Sequence, residues 1–340
     1  MLFDVFSSNS VDLRMFLFPW HTNSLLLDIL CMPNKEFSPY GYCFLFFYCC
    51  SKLMAERLLL RALSGGKSTK IVTLNGKKLK KMPSTLERLQ GLQTLDLQNN
   101  LILNVCPEIS SLVQLTVLNL GNNLLQEVPE EVKYLSSLKK LHLFGNRISR
   151  FASGVCDGLQ NLVLLNLNNN QLTSIPPEVN RLKSLTFLSI NYNQLSSIPR
   201  ELCLLINLSE LQLNYNKIIC IPEEINFLRN LQKLFLIRNK IEVLPQELCD
   251  LANLRILDIA GNKIQIFPPG FQKLKLKELH CEGNPLFLKK PFKAVLQDDL
   301  CSLQKWKTNY NLRLVPLQKL VCSYKCFNRR APNTFGIAQA

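Results

Sequence analysis

The amino-acid sequence predicts an α/β solenoid of about ten 23-residue repeats, and three observations predict it: a fixed period, a strand-like half in each period, and a proline-led return. The pattern Leu-x-x-Leu-x-Leu-x-x-Asn recurs as Leu92/Leu95/Leu97/Asn100, Leu115/Leu118/Leu120/Asn123, Leu138/Leu141/Leu143/Asn146 and Leu162/Leu165/Leu167/Asn170. It continues as Leu185/Leu188/Ile190/Asn193, Leu208/Leu211/Leu213/Asn216, Leu231/Leu234/Leu236/Asn239 and Leu254/Leu257/Ile259/Asn262. A degenerate copy with Val72, Leu74 and Lys77 opens the array, and Leu276/Leu279/Cys281/Asn284 closes it. From Lys77 to Asn284 the spacings are 23, 23, 23, 24, 23, 23, 23, 23 and 22. A fixed period of this length means units that pack on their neighbours.

Each element follows from its residue types. Alternation of apolar and free positions in Leu-x-x-Leu-x-Leu is the period of a half-buried strand. The asparagine stands where the strand ends, and its short polar side chain can bond neighbouring backbone groups, so stacked copies predict an asparagine ladder. A second apolar set follows in Leu172–Ile175–Pro176, Leu195–Ile198–Pro199, Ile218–Ile221–Pro222 and Ile241–Leu244–Pro245. Proline there stops a helix and fixes the chain for its return. The returns over 129–135, 199–205 and 245–251 each supply two inward apolar residues from a short helical or 3-10 turn. No unit can bury this set alone.

These motifs resemble the leucine-rich repeat proteins, in their intracellular class of 23-residue repeats with L-P-x-E-[I/L]-x-x-L returns. The resemblance covers about two thirds of the chain, and its motifs are specific for fold. It implies a horseshoe-shaped leucine-rich repeat solenoid, a parallel sheet on the concave side, no catalysis within the repeats, and no particular partner.

Charge and cysteine bound the function. The formal charge is +15, which raises nucleic acid as a partner. Residues 91–290, however, hold 20 Lys+Arg against 17 Asp+Glu. The excess sits at the ends: Lys67, Lys70, Lys77, Lys78, Lys80 and Lys81 around the first repeat, and 8 basic against 2 acidic residues over 291–340. A groove that reads phosphates would carry its charge along the strands, so nucleic acid is not expected. Thirteen cysteines are an odd number, and Cys106, Cys203, Cys220, Cys249 and Cys281 occupy repeat sites as small hydrophobes. Free thiols and a cytoplasmic location are the expectation.

Four segments are expected: a non-repeat extension over 1–53, a capping helix over 54–69, the leucine-rich repeat domain over 70–290, and a basic, partly disordered tail over 291–340. Residues 1–53 hold apolar bursts without periodicity, too short to span a bilayer and without signal-peptide features. Relatives in the family that the chain resembles begin at the equivalent of Met54, so the extension reads as disordered or as a gene-model artefact. Leu58, Leu59, Leu60 and Leu63 suit a helix that covers the first repeat. Gly65-Gly-Lys-Ser-Thr lacks the phosphate-loop glycine, since Arg61 stands in its place, and it follows helix rather than strand; a glycine C-cap fits better. Cys322 and Cys326 would need two more ligands for zinc, and the tail offers only Cys301 and no histidine. His21, His142 and His280 are scattered, and no nucleophile–base set converges. No enzyme, cofactor or metal is expected, and membrane association is not favoured.

The free positions of the strands form columns about 4.8 Å apart. In the middle repeats they hold Phe144, Phe187, Phe235 and Ile237, with Tyr192 and Tyr215 alongside, beside a belt of Asn168, Asn191, Gln212 and Asn214. Large aromatics on a solvent-facing sheet suit a binding surface. These ten residues are therefore the expected contact set of a non-catalytic interaction scaffold, active for example in signal transduction, with a protein partner on the concave face. The alternative is a regulatory or adaptor subunit whose basic ends dock an acidic partner or membrane.

Overall fold

The computed structural model describes residues 57–65 and 68–286. The chain divides into units 1–49 and 50–340, of which the first lies wholly outside the described residues. The expectations for 1–53, for 291–340 and for the tail cysteines also fall outside them.

Ten strands of three residues form one sheet: β1 (Ile71–Thr73), β2 (Thr94–Asp96), β3 (Val117–Asn119), β4 (Lys140–His142) and β5 (Leu164–Asn166) are its first half. It continues with β6 (Phe187–Ser189), β7 (Glu210–Gln212), β8 (Lys233–Phe235), β9 (Ile256–Asp258) and β10 (Glu278–His280). Their spatial order is their chain order, and every pairing is parallel and in register, so Val72, Leu95, Leu118, Leu141 and Leu165 face one another in a row. A sheet in which each strand pairs only with the next repeat is what a linear stack requires.

The returns are 3-10 turns such as Pro107–Ser111, Arg200–Leu204 and Gln246–Asp250. Their N-caps Pro83, Pro129, Pro176, Pro199, Pro222 and Pro245 hold φ between −63° and −68°, the value the ring imposes. Each turn buries an apolar residue (Ile109, Val132, Leu202, Leu248) under the sheet. The 24-residue repeat is the exception: its return is a four-residue α-helix, Val155–Gly158. The extra residue is accommodated by Gly158, where any Cβ would collide with the Lys133 carbonyl. The consensus leucines form one continuous core, most with no solvent exposure at all. At its start, a helix over 57–64 buries Leu59 in that core and packs Leu58, Ala62 and Leu63 against it.

The asparagine ladder takes a definite form. Asn193 Nδ2 donates to Leu167 O of the preceding repeat (2.9 Å) and its Oδ1 accepts the Leu172 N–H (3.0 Å). Asn123, Asn146, Asn170, Asn216, Asn239 and Asn262 repeat the same pair of bonds. Each asparagine thus satisfies backbone groups that the strand end leaves buried.

Candidate interaction surface

The sheet face is built from the residues that flank the buried leucine of each strand. Phe187 lies between Leu164 and Glu210 in register, and Phe235 between Gln212 and Asp258. Phe144 lies across Gly121, where a Cβ would run into its ring, and meets His142 edge-on at 6.5 Å. Phe144, Phe187, Phe235 and Ile237 are all half-buried, and among the described residues the three phenylalanine rings do not touch one another. Of the ten expected contact residues, only Tyr192 and Tyr215 are exposed, at 51% and 38%. The salt bridge from Lys233 to Glu210 (3.0 Å) separates Phe187 from Ile256 along one column.

The amide belt does more than face solvent. In β2, β3, β5 and β9 a short acceptor at the strand end (Asp96, Asn119, Asn166, Asp258) takes the N–H two residues on, from Gln98, Gly121, Asn168 and Ala260. In β6, β7 and β8 that position holds Ser189, Gln212 and Phe235, none of which makes this bond. The job passes to the previous repeat. Asn191 N–H donates to Asn168 Oδ1, Asn214 N–H to Asn191 Oδ1 and Ile237 N–H to Asn214 Oδ1, each at 2.7 Å. Ser189 Oγ lies 2.7 Å from Asn168 Oδ1 and 2.9 Å from Gln212 Oε1, and Asn191 Nδ2 donates to that same Gln212 oxygen at 2.9 Å. Gln212 Nε2 donates in turn to Glu210 (2.6 Å). Five of the expected contact residues, Asn168, Asn191, Gln212, Asn214 and (through its N–H) Ile237, are thus drawn into one network, with the Nδ2 groups of Asn168 and Asn214 free of hydrogen bonds among the described residues.

Beside this belt runs a second column, one residue before each ladder asparagine. Its φ is positive throughout: Asn99, Asn122, Gly145, Asn169, Tyr192, Tyr215, Arg238, Gly261 and Gly283 lie between 51° and 74°. Asparagine and glycine adopt this conformation readily, whereas a bulky residue gives up about 1–2 kcal/mol. Three consecutive repeats nevertheless place tyrosine, tyrosine and arginine there. The tyrosine rings stack at 4.3 Å with 12° between planes, and the Arg238 guanidinium lies 5.8 Å from the Tyr215 centroid. The sequence reading missed Arg238; its signal was a bulky cation at a position that other repeats fill with asparagine or glycine.

Burial governs the ionisable groups nearby. Desolvation pushes the Cys156 and Cys203 thiols up to about 12 and those of Cys106 and Cys281 to about 11, so these cysteines behave as apolar core atoms. Burial, then Lys140, lowers the His142 pKa, which keeps the imidazole neutral at physiological pH. Among the described residues no cluster of three or more His, Cys, Asp or Glu side chains converges, and no helix is long and apolar enough to cross a membrane.

A parallel ten-stranded solenoid with a ladder asparagine after nine of its ten strands is the architecture of one repeat family. The leucine rich repeat family model matches residues 90–148, 136–195, 160–218, 206–264 and 229–286, and the chain belongs to that family. More particularly, it is similar to Leucine-rich repeat-containing protein 69 of Homo sapiens, with 63% identity over 346 residues that cover 84% of this chain and 100% of the human one. The Mus musculus protein of the same name is 59% identical over the same extent. Among solved structures, a leucine-rich repeat protein of Leptospira interrogans superposes with a TM-score of 0.64 at 36% identity, covering 69% of this chain and 60% of its own. The plant peptide hormone receptor RGFR1 in complex with RGF2 follows at 0.54 and 31%, covering 60% of this chain and 34% of its own. The chain therefore spans less than two thirds of either solved protein. Leucine-rich repeat domains generally mediate protein–protein interaction and generally lack catalytic activity.

Proposed function

We propose that this protein is a non-catalytic interaction scaffold that binds a protein partner on the sheet face of its middle repeats. The contact set is Phe144, Phe187, Phe235 and Ile237, with Asn168, Asn191, Gln212, Asn214, Tyr192 and Tyr215 around them. The observation that carries this reading is the pair of exposed, stacked tyrosines held in a left-handed conformation that asparagine would adopt more easily. Backbone strain of this kind, unrelieved by burial, marks positions kept for contact rather than for folding. The half-buried phenylalanines flank them as apolar anchors, and the two unbonded amides offer directional donors. A neighbour in fold is a receptor whose structure contains RGF2, which supports partner binding as the use of such an array. The six described cysteines are free thiols, which supports the cytoplasm as the working compartment and, with it, a role in intracellular signal transduction.

The test is partner capture by proximity labelling in cells, with the natural chain and with a Phe187→Ala/Phe235→Ala double variant. Specific partners should be lost in the double variant while its melting transition persists. An unchanged partner set with an intact fold rules out this surface.

A further inference from the structure

We propose that Tyr192, Tyr215, Arg238 and Lys240 form a docking site for an acidic, extended peptide segment of the protein partner; this rests on the scaffold reading above and names the partner's chemistry. The geometry is a stepped column along the array. Tyr192 stacks on Tyr215 at 4.3 Å, and Arg238, one repeat further on, sets its guanidinium 5.8 Å from the Tyr215 centroid. The backbone locks all three at one-repeat intervals: the N–H of Tyr192, Tyr215 and Arg238 donates to Asn214 O, Ile237 O and Ala260 O at 2.9, 2.7 and 2.8 Å. The stem of Arg238 is steered by Gly261, where a Cβ would stand 3.1 Å from Arg238 Cγ. Thus the guanidinium is positioned by the ring and by the missing side chain of the next repeat, with no carboxylate holding it among the described residues.

The charges around it are one-sided. Lys217, Lys240 and Lys263 each follow a ladder asparagine, so they recur at equivalent positions on the same edge as Arg238. Lys217 bonds only the neutral Gln194 (3.2 Å), and Lys240 Nζ has no partner among the described residues. Of the acids nearby, Glu242 pairs with Lys263 at 3.4 Å and Glu282 lies two repeats beyond Arg238. Asp258, on the sheet face nearby, is taken by the Ala260 N–H. A planar guanidinium with its donors unengaged suits bidentate recognition of a carboxylate, and Lys240 supplies a second charge beside it. The stacked tyrosines continue the same line as a flat apolar platform for the stem of the bound segment. An extended acidic strand lying along the array meets both chemistries, whereas a basic or purely apolar segment meets only the platform.

The test uses the full chain and two fluorescein-labelled dodecapeptides, alternating glutamate–alanine and alternating lysine–alanine, followed by fluorescence polarisation at physiological ionic strength. The glutamate peptide should bind and the lysine peptide should not. Arg238→Gln with Lys240→Gln should weaken binding by about tenfold or more, the loss expected for charge-assisted hydrogen bonds. Tyr192→Asn with Tyr215→Asn, which installs the residue that other repeats carry, should weaken binding while leaving the melting transition in place. Lys183→Gln with Arg229→Gln removes the same charge elsewhere and should leave binding unchanged. Equal loss in that control, or full binding in the site variants, overturns the proposal. In the cellular capture, partners lost with Phe187→Ala/Phe235→Ala but kept with Arg238→Gln/Lys240→Gln overturn the acidic docking alone. Partners kept with both overturn the scaffold reading as well.

Discussion

Asn193 shows how much a single side chain carries in this array. Its amide holds Leu167 O and its carbonyl oxygen holds the Leu172 N–H, both in the preceding repeat and both buried. Asn193→Ala leaves these groups unsatisfied without opening a path for water, and it should cost about 1–3 kcal/mol. Chemical denaturation followed by circular dichroism checks this, and an unchanged midpoint would show that the ladder is dispensable at this repeat. The nearby Asn191 differs in kind. Its Oδ1 accepts one backbone N–H while its Nδ2 bonds Gln212, so the residue joins the belt across repeats rather than closing a turn. Two asparagines, two positions apart, therefore serve the core and the surface respectively.

At the scale of elements, the 24-residue repeat is the informative one. Its return is a short α-helix in place of a 3-10 turn, and Gly158 faces the Lys133 carbonyl with no room for a Cβ. Gly158→Ala must displace the neighbouring return and should destabilise the chain by roughly 1–3 kcal/mol, the usual penalty for overfilling a packed site. A thermal melt reads this directly; an alanine variant as stable as the natural chain would mean that the two returns separate freely. The strands and proline-led returns were legible in the sequence because leucine, asparagine and proline impose them locally and at a fixed period. The extra residue was legible too, as a spacing of 24, but its conversion to helix depends on packing against another repeat. The half-burial of Phe144 escaped for the same reason, since it follows from a glycine one repeat away at Gly121. Arg238 escaped because its meaning lies in the ring of Tyr215 beside it and in the side chain that Gly261 lacks.

Across the whole array, stability comes from stacking, because no unit encloses its own leucines and each is covered by the next. The ten strands are uniform in length and register, yet the bonds at their ends are not. Caps made within a repeat at β2, β3, β5 and β9 give way to caps made between repeats at β6, β7 and β8. That relay has a source and a sink. It begins at Asn168, whose own N–H is capped by Asn166, and it ends at Ile237, which has no amide to pass on. The repeats are consequently not interchangeable modules. Excising 171–193 would bring Asn168 beside Asn214 and leave the relay whole, whereas excising 147–170 would bring Phe144 beside Asn191 and strand its N–H. The second deletion should lower the melting temperature more than the first, and equal losses would show that the junctions are blind to what they join. A lineage that gains or sheds units by duplication would accordingly tolerate changes inside the relay and resist any that remove its first asparagine, a polarity in the array's history written by one hydrogen-bond acceptor.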